Sequence, residues 1–137
     1  RLLQALNQLK PLKSQIRMLA IQNDTEWPVF LAAFIGHKKN QPKMALAASC
    51  HPDPIQAIEK ALFELSHIVY WSTKILLSSK SATRTWKSFD DDVLSFTDSV
   101  EYYLWHGGEH IVDIFTDHSQ HLQIEDFPNR STNDAAL

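Results

Sequence analysis

The stretch Ala45 to His67, ALAASCHPDPIQAIEKALFELSH, admits few folds. It opens on a run of small residues, Ala45 to Ser49, and meets a His51-Pro-Asp-Pro54 corner. Beyond Pro54 the apolar residues recur at helical spacing. Pro54 suits the first helical position, where its missing N–H has no intrahelical partner to lose, and Asp53 suits the N-cap before it. The segment predicts a strand, a sharp corner and a helix.

At about 100° per residue the predicted helix, Pro54 to Lys80, separates into two faces. Ile58, Ala61, Leu62, Leu65, Ile68, Val69 and Leu76 gather on one side, while Lys60, Glu64, His67 and Trp71 stack on the other. The first face can anchor the helix on a sheet. The second sets a carboxylate between a lysine and an imidazole, and two readings of it are open. It is either a solvated face with an i,i+4 Lys–Glu pair contributing about 0.3–0.5 kcal/mol, or a binding face.

The flanking sequence supplies the sheet. Ser14 to Ile21, Pro28 to Ile35 and Lys43 to Cys50 are short and mostly apolar, as buried strands are. The links between them, Gln22 to Glu26 and Gly36 to Lys43, are too brief for a parallel crossover, so the strands are expected to be antiparallel. Lys38 and Lys39 in the second link read as a solvated loop tip, with phosphate contact as the alternative. Leu2, Leu3, Leu6 and Leu9 predict a helix before Pro11. A second helix is expected over Asp92 to Trp105, ended by Gly107-Gly108. Glu109 to Phe115 fits a short helix or strand, and the chain is polar beyond it. The fold class is α+β: a short, mostly antiparallel sheet packed by one long amphipathic helix. Residues 1–116 form the organised part, and 117–137 a polar loop or disordered tail.

Composition narrows the function classes. Thirteen basic against 16 acidic residues give a net charge of -3, which argues against nucleic-acid binding. A single cysteine, Cys50, cannot form an internal disulfide, and no signal peptide or bilayer-length apolar run is visible. A cytoplasmic protein with no membrane contact is expected. The missing initial Met and the abrupt tail read as a piece of a longer protein.

Most other constellations have plainer explanations. His106-Gly-Gly-Glu109-His110 spells the inverted zinc-protease motif, yet paired glycines inside that turn would cost a helix about 2 kcal/mol. The run Asp90-Asp91-Asp92 reads as solvated charge or a helix start. His118 and His121 sit in polar sequence. Cys50 beside His51 evokes thiol chemistry, but neighbours on a strand point to opposite faces, so a small buried thiol is expected. No P-loop, G-x-G-x-x-G or G-x-S-x-G is present. His51 at the corner is either a structural imidazole bonded to the turn or a functional one.

Ala47 to His67 resembles the signature segment of the YcaO family. That pattern runs Gly-x-Gly-x-His-x-Asp-Pro, two residues, Ala, two more, then Arg-Ala-Leu-x-Glu-x-x-Gln. His51, Asp53, Pro54, Ala57, Ala61, Leu62 and Glu64 match in register. Ala47 and Ser49 stand at the glycines, Lys60 at the arginine and His67 at the glutamine. Asn23-Asp24-Thr25 with Trp27-Pro28-Val29 resembles the family's Asp-Leu-Thr and Ile-Pro-Val. Ser95 to Tyr103 resembles its Asp-His-x-x-x-Tyr segment, with Ser99 at the histidine.

The resemblance spans residues 1–116 and implies the central part of a larger YcaO-type domain that binds ATP and magnesium. Such proteins phosphorylate a peptide-bond oxygen, giving azoline rings by cyclodehydration, or thioamides and related backbone changes, on ribosomally made precursor peptides. It implies a cofactor-binding role for Glu64, Lys60, His67 and His51, with Glu64 the magnesium ligand. The partners implied are a precursor peptide or other protein substrate and a protein of the same pathway. Two alternatives stay open: a degenerate YcaO-like domain that docks a peptide or protein without catalysis, and an unrelated α/β interaction module.

Overall fold

The computed structural model describes residues 15–21, 23–24, 27–78 and 93–105. Three strands, β1 (Ile16–Ile21), β2 (Val29–Ile35) and β3 (Met44–Cys50), are followed by α1 (Pro54–Ser78) and α2 (Phe96–Trp105). The strands lie in the order β1-β2-β3, and both pairs are antiparallel. The expected α+β architecture, with the long helix packed on an antiparallel sheet, is the one observed.

Alternation along the strands determines where α1 sits. The register pairs Ile16 with Phe34 and Met18 with Ala32 on one side of β2, and Ala32 with Ala47 and Phe34 with Ala45 on the other. All six side chains therefore share one face of the sheet. Against that face α1 lays Ala61, Leu62 and Leu65, with Ile58, Ile68 and Val69 at the margins. Ala32 and Ala61, both at 0% exposure, belong to this cluster, so its centre is built of small side chains. Ala47 belongs to the same cluster, and its small side chain serves this packing.

The turns are fixed locally. The Asn23 side-chain amide donates to the carbonyls of Ile21 and Trp27, 3.2 Å each, and so ties the end of β1 to the approach of β2. Between β2 and β3 the Gly36 N–H donates to the Lys43 carbonyl at 2.9 Å. A Cβ on Gly36 would overlap the Pro42 carbonyl oxygen, so the close approach of the two loop arms requires glycine. Lys38 and Lys39 are exposed in that loop.

The second helix begins later than Asp92. Ser95 caps it: its hydroxyl accepts the Asp98 N–H at 3.1 Å and donates to the Asp98 carboxylate at 2.8 Å. This is a variant of the capping box, in which the Asp98 carboxylate accepts the Ser95 hydroxyl and the Leu94 N–H (3.3 Å) rather than the N-cap's own N–H, and the first helical residue is Phe96. At its far end the Leu104 carbonyl accepts the Lys43 N–H at 3.3 Å, which docks α2 beside the start of β3. Val100 and Leu104 are buried there.

One expectation is corrected. Cys50 is exposed, not a small buried thiol, because it closes β3 on the face turned away from α1. The leucine helix before Pro11, Asp90–Asp92, the His106–His110 motif, Glu109 to Phe115, His118, His121 and the tail over 117–137 lie outside the described residues. Among those described, no helix is long and apolar enough to cross a membrane.

Candidate functional site

The corner between β3 and α1 is a closed hydrogen-bond circuit. One oxygen of Asp53 accepts the N–H of Ile55 at 2.9 Å and of Gln56 at 3.4 Å, the role of an N-cap. Its other oxygen accepts the Gln56 side-chain amide at 3.2 Å. Burial pushes the Asp53 carboxyl up, but these bonds from Gln56 and Ile55, with the field of His51, outweigh it and hold the group below its ordinary 3.8. The Asp53 N–H in turn donates to Nδ1 of His51 at 3.1 Å. His51 thus braces the turn by accepting at Nδ1. The anion-attracting first turn of α1 is already filled by the carboxylate of the chain itself.

From this corner the helical period carries Lys60, Glu64, His67 and Trp71 to the side opposite the sheet, and all four are exposed. Lys60, Glu64 and His67 are brought together within two turns. His51 stands apart from them, because Glu64 lies ten residues beyond Pro54, about 15 Å along the axis. Among the described residues no ion pair joins Lys60 to Glu64. The His67 ring packs edge-on against Phe63, with centroids 4.4 Å apart. The Glu64 carboxylate is therefore available to a ligand. Further along, Trp71 stacks on Phe96 of α2 at 5.9 Å with the planes 9° apart, and the Lys74 ammonium lies 5.4 Å from the Tyr70 ring centroid.

Two cavities flank α1. One, of about 160 Å3, opens between β1 and the helix and is lined by Ile16, Phe34, Leu62, Leu65, Val69 and Tyr70. The other, of about 130 Å3, lies between β3, α1 and α2, against Met44, Ile68, Ser72, Phe96, Ser99 and Tyr103. Glu64, Lys60 and His67 line neither, but Ile68, at the margin of the packed face and on the wall of the second cavity, is one helical turn from Glu64 and about 40° from it around the axis. Burial, and then the neighbouring Tyr102, push the Tyr103 phenol above its ordinary 10.0. Ser72 is the lining residue that pattern reading passed over. Its signal was a serine within the apolar stripe of Leu65, Ile68, Val69 and Leu76.

The donor set bears on magnesium. Among the described residues, no three His, Cys, Asp or Glu side chains gather as a metal cluster. Magnesium bound with a nucleotide needs no such cage. One or two carboxylates, phosphate oxygens and retained waters complete its shell. Glu64, exposed and with no ion-pair partner among the described residues, fits that arrangement as a single carboxylate ligand. His67, where the signature has an oxygen-bearing amide, fits it poorly, since magnesium prefers oxygen.

No curated protein and no solved structure matches this chain. The family model described as YcaO cyclodehydratase, ATP- and Mg2+-binding, matches residues 1–135. With the signature helix folded as that pattern demands and the match running over nearly all of its length, the chain belongs to the YcaO family.

Proposed function

We propose that the chain contributes the magnesium–ATP carboxylate of an enzyme that activates a peptide amide oxygen by phosphorylation. The product would be an azoline, or a related backbone change such as a thioamide. The observation that carries this reading is Glu64: a carboxylate exposed on the side of α1 away from the core, with no ion-pair partner among the described residues, one turn after Lys60, on a helix whose start is pinned by Asp53 and His51.

The chemistry explains the residues. An amide oxygen is a poor leaving group, and phosphorylation makes it a good one. For the azoline, a Cys, Ser or Thr side chain of the substrate would lose its S–H or O–H proton to a base and add to the carbonyl carbon, and the resulting oxyanion would take the γ-phosphoryl group of ATP. Phosphate then departs as nitrogen loses its proton and the C=N bond forms, leaving ADP and phosphate. Magnesium would supply charge neutralisation between the phosphate oxygens. Glu64 would hold the ion and Lys60 would meet a phosphate oxygen as a point charge, without the two-pronged grip of arginine. His51 and Asp53 set the rotation of the helix. The substrate class is a ribosomally made precursor peptide or another protein, met together with a partner of the same pathway.

A second reading draws on His67. An imidazole in place of the amide, turned against Phe63, weakens the metal shell and favours a degenerate domain that docks a peptide or protein without turnover. Calorimetric titration of the full chain with ATP, with and without magnesium, separates the two. The catalytic reading expects magnesium-dependent binding weakened at least tenfold in Glu64→Ala. Peptide binding without any nucleotide binding would overturn it.

A further inference from the structure

The cavity between β3, α1 and α2 carries a polar feature that packing does not explain. Ser72 is only 2% exposed, and its hydroxyl has no hydrogen-bond partner among the described residues. Its helical neighbours behave otherwise: Ser66, Thr73 and Ser78 each donate back to a carbonyl of α1, at 2.6, 2.7 and 3.0 Å. No described side-chain polar atom is both sealed from solvent and unbonded, so the Ser72 hydroxyl opens onto the cavity it lines. Ser99 and Tyr103 line the same cavity. The remaining surface is apolar, from Met44, Ile68, Val100 and the exposed edge of Phe96. An apolar pocket with a few convergent polar groups is the usual form of a small-ligand site, and a cavity of about 150 Å3 accommodates benzene. This one measures about 130 Å3 and is open to solvent beside the exposed Phe96, so a ring can enter it in part without being enclosed whole.

We infer that this cavity is a binding pocket for one ring-sized apolar group bearing a polar atom, as in a tyrosine side chain, with Ser72 bonding that atom. The pocket stands on the cavity and the unpartnered hydroxyl. Assigning the ring to the peptide substrate rests on the proposed function. Its position suits that role, since Ile68 on its wall is one helical turn from Glu64, so a peptide whose amide sits at the Glu64 face can place a neighbouring side chain here.

Toluene and p-cresol, the side chains of phenylalanine and tyrosine without their backbones, serve as probes. Each is titrated into the full chain while the amide resonances of Ser72, Ser99 and Val100 are followed by NMR. Both probes shift those amides, and p-cresol binds about 3–10-fold more tightly than toluene. Ser72→Ala removes the preference while toluene binding stays, and Ser72→Leu fills the pocket and abolishes both. Absence of shifts at these amides, equal affinity of the two probes, or a preference that survives Ser72→Ala would overturn the inference. If Ser72→Leu does not fold, Ser72→Ala decides alone. Magnesium–ATP titration of the same samples keeps the two proposals separable, because failure of nucleotide binding leaves the probe titration readable, and the reverse.

Discussion

Glu64 and Leu65 are neighbours in the chain and opposites in the fold. Leu65 is 2% exposed and packs against the sheet, whereas Glu64 is exposed and pairs with no described group. The same contrast runs the length of α1. The inner face of Ala57, Ala61, Leu62 and Leu65 is fixed by shape, and the outer face of Lys60, Phe63, Glu64, His67 and Tyr70 is free to meet something else. One helix thus divides its labour. The side that builds the core is sensitive to changes of volume, and the side proposed to carry the chemistry contributes little to stability.

That division is sharpest where substitutions hit the core. Leu65→Ala should cost about 2–5 kcal/mol, measured by denaturant unfolding, since the alanines around it cannot collapse into the space. The corner comes next. Asp53→Ala should cost about 1 kcal/mol through loss of the cap. It should also remove a pH dependence. Because the folded-state value of Asp53 is depressed, its contribution is present above its ordinary 3.8 and is lost as pH falls through the lower, folded value. The wild type should therefore lose stability in acid more steeply than Asp53→Ala; parallel acid melts would show that the cap carries no such linkage. A smaller effect, about 0.5–1 kcal/mol, is expected for Phe96→Ala, which removes the stacking partner of Trp71 and loosens α2. Smallest of all, Glu64→Ala should change unfolding stability by less than about 0.5 kcal/mol.

The inner face was readable from residues alone. Apolar residues at helical period, strands with links too short for crossovers, and the Asp53-Pro54 start each have one physical solution, and the structure adopts it. The outer face was not. Lys60 and Glu64 at i,i+4 look the same on a solvated helix as at a nucleotide site, so only the family pattern distinguished them. Two features escaped because they depend on contacts distant in sequence. The exposure of Cys50 follows from which sheet face α1 covers. The open hydroxyl of Ser72 follows from where α2 docks, through the Lys43–Leu104 bond and the Trp71–Phe96 stack.

The division between the faces can be tested in one thermal-unfolding series: wild type, Glu64→Ala and Leu65→Ala, each with and without magnesium–ATP. A ligand that binds only the folded state stabilises it by RT ln(1 + L/Kd), with L the free ligand concentration, so the melting temperature rises with ligand concentration and with affinity. Leu65→Ala should melt lower yet keep the upward shift with magnesium–ATP. Glu64→Ala should melt with the wild type when no nucleotide is present and show a clearly smaller shift than the wild type when it is added. A Glu64→Ala protein that retains the full shift, or that is as destabilised as Leu65→Ala, would contradict the account.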